Sequence, residues 1–139
     1  MMVDRKDLIN MALDMRSRSY VPYSHFAVGA ALLCRDGKVF PGCNIENSSF
    51  GATNCAERTA FFSAVADGEK KFSAIAIVGG PEGKAPSALC PPCGICRQIM
   101  LEFCSDDFEV ILAKNPDDYQ VFQLSELIPV SFGPGDLGK

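Results

Sequence analysis

The sequence has one histidine, His25, and no tryptophan. No apolar run approaches the ~18–20 residues that span a bilayer. A single imidazole excludes HExxH zinc proteases and zinc fingers built on two cysteines and two histidines. It also leaves any histidine-based catalysis with one candidate. Basic clusters are lacking as well. Lys and Arg number 13 against 17 Asp and Glu, for a net charge of −4. The first 70 residues carry 8 basic and 8 acidic side chains and the last 69 carry 5 and 9, so the acidic excess lies in the C-terminal half. Phosphate contacts need clustered Lys and Arg, so no nucleic-acid partner is expected. The start, Met1-Met2-Val3-Asp4-Arg5-Lys6-Asp7, lacks the apolar stretch of a secretory signal. The expected location is the cytoplasm, with no membrane association.

The 139 residues are 47% apolar and 22% charged. That composition suits a globular protein, and the length suits one domain over residues 1–139. Seven cysteines, an odd number, stand in a chain without an export signal. Cysteine clustering is therefore read as metal or redox chemistry before disulfides.

Asp4 and the spacing of Leu8, Met11, Ala12 and Met15 predict a helix over about residues 5–18. Pro22 stops it. Phe26 to Cys34 reads as a strand, and Asp36-Gly37 as a hairpin turn. Val39 to Ile45 is the return strand, placed at an edge or bulge by Pro41. Residues 46–53 read as a loop. Asn54 is the expected cap of a second helix, ended by Asp67-Gly68. Ala74 to Val78 has the continuous apolar character of a strand buried on both faces. Gly79 to Cys90 reads as a loop, 93–104 as a third helix and Phe108 to Ala113 as another buried strand. A last strand and a short helix near Ser125 follow, and about 133–139 reads as a frayed, flexible tail. Helices alternating with buried strands imply an α/β sandwich.

Cys55 and the pair Cys93-Gly94-Ile95-Cys96 each fall at a predicted helix start. Free N–H groups and the positive dipole end favour thiolate there. Three thiolates on zinc leave a fourth position open, which is the catalytic arrangement. Other readings compete. Cys93 and Cys96 form a thioredoxin-like pair in spacing, but the chain has no Trp and the pair follows Pro91-Pro92 rather than a strand. The spacing of Cys90, Cys93 and Cys96 suggests an iron–sulfur run, but Met100 stands where the fourth cysteine belongs. A closed structural zinc site would need Cys34, Cys43, Cys90 or Cys104 as its fourth ligand. Glu57 fits a capping box with Asn54. It also stands two residues after a candidate zinc thiolate, where a carboxylate can relay protons. Arg58 is either a solvated helix arginine or a donor that offsets the charge of the thiolates.

Cys55-Ala56-Glu57 and Pro92-Cys93-Gly94-Ile95-Cys96 together resemble the three-cysteine form of the zinc-deaminase signature. More narrowly, the chain resembles the small homotetrameric cytidine deaminases. The likeness runs through Pro22-Tyr23-Ser24, Phe26 to Leu32, Gly42-Cys43-Asn44-Ile45-Glu46-Asn47, Cys55 to Ala60 and Cys93 to Gln98. It implies a three-layer α-β-α fold with a mixed five-stranded sheet. The implied reaction is hydrolytic deamination of cytidine and deoxycytidine to uridine and deoxyuridine, in pyrimidine salvage. One Zn2+ per subunit would be held by Cys55, Cys93 and Cys96. Water activated by the metal would attack C4, with Glu57 shuttling the proton. The resemblance further implies that Ala56 binds the base through its backbone, Phe26 lies beside the base, and Asn44 and Glu46 grip the ribose. Arg58 would hydrogen-bond the thiolates. A homotetramer with shared active sites is implied, in which Phe132 covers the base of a neighbouring subunit. Phe50 replaces a residue that is often Tyr, and Cys90 is an added thiol near the metal pair. His25 is assigned no role. Two other readings stay open: a relative acting on a cytosine-containing antibiotic, and an inactive zinc-stabilised binding module.

Overall fold

Helix α1 runs Arg5–Met15 because Asp4 and Asp7 close a reciprocal box at its start, with Asp7 N–H donating to Asp4 Oδ1 at 2.8 Å. The structure, a computed structural model, describes residues 3–139. A short 3-10 turn, Arg16–Arg18, continues α1 to the predicted end of the helix. Strand β1, Phe26–Cys34, has the expected bounds, and β2 returns over Val39–Cys43. The turn between them places Gly37 at φ 95°, a backbone that glycine accepts without strain. Helix α2, Ala56–Ala66, is followed by β3, Phe72–Pro81, then α3, Gly94–Phe103, and β4, Glu109–Asn115. Strand β5, Asp118–Gln123, and the one-turn helix α4, Leu124–Leu127, complete the series.

The five strands order β2-β1-β3-β4-β5. β3 and β4 are parallel and the other pairs antiparallel, so the sheet is mixed. Pro41 lies in edge strand β2, where its missing N–H costs no ladder bond. Side chains alternate across β3 and β4 and build two cores. Ala31, Ala74, Ala76, Val78, Ile111 and Ala113 face Leu8, Ile9 and Ala12 of α1. These small residues let α1 come close: a Cβ on Gly29 would lie 1.8 Å from the Ala12 carbonyl oxygen. The other face carries Ile75, Ile77, Val110 and Leu112 against Phe61 of α2, Met100 of α3 and Leu124 of α4. Full burial of a side chain such as Phe61 contributes roughly 1.5–3 kcal/mol. The three layers are α1, the sheet, and α2 with α3 and α4.

Three expectations need correction. β3 extends three residues into the segment read as loop, because Gly79, Gly80 and Pro81 pair with Val28, Ala27 and Phe26. Helix α2 is capped at Cys55, not Asn54. Asn54 instead exchanges backbone hydrogen bonds with Ile45 and donates its side-chain amide to Thr59. Residues Pro134–Leu137 of the expected tail form a 3-10 turn, with Gly133 N–H donating to Asp136.

Candidate active site

Helices α2 and α3 begin on the same face of the sheet, at the end where β1 starts and β3 stops. Cys55 caps α2, Cys93 caps α3, and Cys96 lies in the first turn of α3. Their sulfurs all fall within 4.8 Å of one another, and Cys55 Sγ and Cys93 Sγ are 3.8 Å apart. Tetrahedral coordination with Zn–S of about 2.3 Å separates sulfurs by roughly 3.8 Å, so the donor set fits zinc. Hydrogen bonding from the Cys96 thiol, helped by the Arg58 guanidinium, brings the Cys55 thiol down to about 5. Cys96 is pushed up by the same hydrogen bond. Arg58 Nη2 donates to Cys55 Sγ at 3.3 Å. Its Nε is buried with no acceptor among the described residues. Three thiolates around a divalent ion would carry a net charge of −1, which the guanidinium of Arg58 would offset.

The helix starts are locked to the sheet. A Cβ on Gly42 would lie 2.3 Å from the Ala56 carbonyl oxygen, so only glycine lets β2 meet the first turn of α2. Thr59 Oγ1 donates to the Cys43 carbonyl at 3.0 Å. Arg97 Nε donates to the carbonyl of Pro92, immediately before Cys93, at 2.8 Å, and Arg97 Nη1 to that of Leu127 at 2.8 Å. Sequence reading missed Thr59 and Arg97, because their partners are carbonyls that only the fold brings near.

Glu57 is 4% exposed, the one buried charged side chain among the described residues. The capping role is not taken: α2 has no side-chain cap. Burial pushes the Glu57 carboxyl up to about 7. Ala56, fully buried, opens α2, where the first-turn N–H groups have no partner inside the helix.

Phe26 is 40% exposed. It follows His25, whose φ of 55° lies in the left-handed region. Asn44 spans the start of β1: its Oδ1 accepts from Val28 N–H and its Nδ2 donates to the Phe26 carbonyl, both at 2.9 Å. One amide N–H of Asn44 is left over. Glu46 accepts from Tyr23 N–H at 3.0 Å, Ser24 N–H at 3.1 Å and the Ser24 hydroxyl. The Ser24 hydroxyl, with these amides, holds the Glu46 carboxyl below its usual range. Glu46 lines a cleft of about 290 Å³ with Tyr23, Ser24, Phe50 and Thr53. Phe50 meets Tyr23 edge-on, with centroids 5.7 Å apart. Phe132 makes none of these contacts. Its carbonyl accepts from Gln98 Nε2 at 2.7 Å, and the residue is 62% exposed.

Residues 2–112 match the family described as the cytidine and deoxycytidylate deaminase zinc-binding region. The chain is 49% identical over 135 residues to the cytidine deaminase of Halalkalibacterium halodurans, covering 97% of this chain and 98% of that one. It is 46% identical over 135 residues to the cytidine deaminase of Sporosarcina psychrophila, covering 97% and 96%. The crystal structure of cytidine deaminase from Burkholderia pseudomallei superposes with a TM-score of 0.83 at 47% identity, covering 94% of this chain and all of that one.

Proposed function

The chain belongs to the cytidine and deoxycytidylate deaminase family, and from that premise we propose which of its residues carry the reaction. Its activity is the zinc-dependent hydrolytic deamination of cytidine, and the proposal extends this to deoxycytidine. The observation that carries the assignment is the meeting of three cysteine sulfurs beside the start of the helix that buries Glu57.

Cys55, Cys93 and Cys96 hold the metal, one per chain. When bound, zinc supplies the Lewis acidity that lets water act as a nucleophile near neutral pH. Glu57 takes a proton from the attacking water and gives it to N3 of the base, then carries the second proton, from the new C4 hydroxyl, to the departing amino group. Water thus adds at C4 and ammonia leaves. A carboxyl near neutrality suits a group that must both accept and return a proton. Arg58 donates to the thiolates, Ala56 binds the base through its backbone, and Phe26 lies against the base. The spare N–H of Asn44 and the carboxylate of Glu46 supply a donor and an acceptor for the sugar hydroxyls. A carboxylate there also disfavours phosphorylated substrates. The unit of function is one domain over 1–139 assembled as a homotetramer, with Phe132 reaching a neighbour's base. Its exposed aromatic ring supports that placement. The setting is cytoplasmic pyrimidine salvage. No helix among the described residues is long and apolar enough to cross a membrane.

The direct test is ultraviolet monitoring of cytidine with zinc-replete protein. Conversion to uridine is expected, and absence of turnover at one zinc per chain removes the reading. The sugar assignment has its own check. Glu46→Ala is expected to raise KM for cytidine about tenfold or more with zinc unchanged, since a lost charged hydrogen bond is worth ~1.5–3 kcal/mol. Because Glu46 also holds Tyr23 and Ser24, free cytosine is the control. Loss of the preference for cytidine over cytosine marks a lost sugar contact, and an unchanged preference removes the assignment.

A further inference from the structure

The wall proposed to face the base rests on a bare stretch of backbone. A Cβ on Gly79 would lie 2.8 Å from Cys90 Sγ and 3.1 Å from Phe26 Cε2, so both side chains sit on the end of β3. The next residue points to the opposite face. A Cβ on Gly80 would lie 3.3 Å from Arg16 Nη2 and 3.1 Å from Pro86 Cα. Arg16 stands just past α1, ten residues before Phe26. Its Nε donates to the Ala27 carbonyl at 2.9 Å. Its Nη2 donates to Gly80 and Pro81, and its Nη1 to Lys84, each at 3.0 Å. Four of the five guanidinium N–H groups are thus committed to main-chain carbonyls. Those carbonyls belong to the start of β1, the end of β3 and the loop that leads to Cys90 and Cys93. No carboxylate pairs with Arg16 among the described residues.

We propose that Arg16 is a positioning residue for the reaction: its clamp on these carbonyls fixes Phe26 and Cys90 against Gly79, so that the base meets a preset wall. The proposal rests on the reading that Phe26 faces the base. The planar fork matters, because a lysine ammonium has three donors on a point charge and cannot span the same carbonyls. Arg16 acts at a distance from the metal and from Glu57, so binding of the base should suffer before the chemistry does.

The test compares Arg16→Met and Arg16→Lys in the full-length zinc protein, each alone and combined with Phe26→Ala. Arg16→Met is expected to retain one zinc per chain, to raise KM for cytidine about tenfold and to change kcat less than about threefold. Arg16→Lys should fall between it and the parent. In the Phe26→Ala background the same change should add less than about twofold to KM, because the ring that it positions is gone. A KM effect of equal size in both backgrounds, a loss confined to kcat, or loss of zinc overturns the proposal. If Arg16→Met does not fold, Arg16→Lys carries the same cycle. Amide hydrogen exchange provides an independent reading. Exchange should rise about tenfold over residues 26–28 and 80–90 in the Arg16 variants, with the centre of the sheet unchanged. Unchanged exchange there refutes the clamp even if the parent protein turns over nothing, whereas silence of the parent toward cytidine with exchange as expected refutes only the function reading.

Discussion

Replacing Glu57 by Gln is expected to lower kcat by about 10³–10⁴-fold while fold and zinc content stay intact, the upper range for removal of a general acid–base group. The amide fills the same volume and has no lone-pair site basic enough to take the proton from water. Two observations set the size of the effect. Glu57 is the one charged side chain buried among the described residues, so no second buried carboxylate can replace it. It also follows Cys55 by two residues at a helix start whose backbone is locked to β2 through Gly42 and Thr59. Stability should not fall. Burial raises the Glu57 carboxyl to about 7 in the folded chain, above its ordinary 4.5, so folding favours the protonated form. Its ionisation costs the folded state stability, a cost absent below the ordinary value and complete above the raised one. An uncharged amide avoids that cost. Full activity of Glu57→Gln would eliminate the proton-shuttle role. An unfolded or zinc-free variant would give Glu57 a structural role instead.

The cysteine cluster was legible in the sequence in part because Cys93 and Cys96 share one turn and a helix start could be predicted at each set, although only the fold brings Cys55 beside them. The bounds of β1 were legible for a similar reason, since Asp36-Gly37 marks one end and Pro22 guards the other. The capping reading of Asn54 and Glu57 was also local, and it failed. A box of this kind needs the Glu side chain at the surface, whereas α2 turns Glu57 inward beside the thiols. Asn44 was legible as a polar residue near a strand end but not as the brace that holds both Val28 and Phe26. Arg16 and Arg97 were invisible for the same reason. Their acceptors are backbone carbonyls 5–68 residues away, and a carbonyl has no sequence signature. The Gly79-Gly80 pair read as a loop because both residues lack side chains. In the fold that lack is what allows the strand to run between Phe26 and Cys90 on one face and Arg16 on the other.

Cys93→Ser is expected to remove the metal and, with it, roughly 10³-fold or more of activity, because several kcal/mol of barrier lowering comes from the Lewis acid. Cys93 is the exposed member of the trio and caps α3 through its backbone, which serine preserves. The helix should therefore remain, held by Met100 and by Phe103 against Phe61. What is lost is binding energy that stabilises the folded state. A metal at ~1,000 times its dissociation constant contributes about 4 kcal/mol. For a chain of this size that corresponds to a fall in Tm of roughly 10–15 °C. Cys90→Ser gives the contrast. Cys90 is not among the sulfurs that converge, and burial pushes its thiol up to about 11, so it is a neutral group packed on Gly79. Cys104 caps the far end of α3, about 16 Å along the helix from Cys93. Cys34 and Cys43 are buried on strands. A closed site with four cysteine ligands has no fourth candidate here, and three ligands leave the coordination position that catalysis requires. One zinc per chain should persist in Cys90→Ser and vanish in Cys93→Ser, as measured by metal analysis after gel filtration. Zinc lost from the first variant, or kept in the second, would mean that the metal is held by a different set of sulfurs.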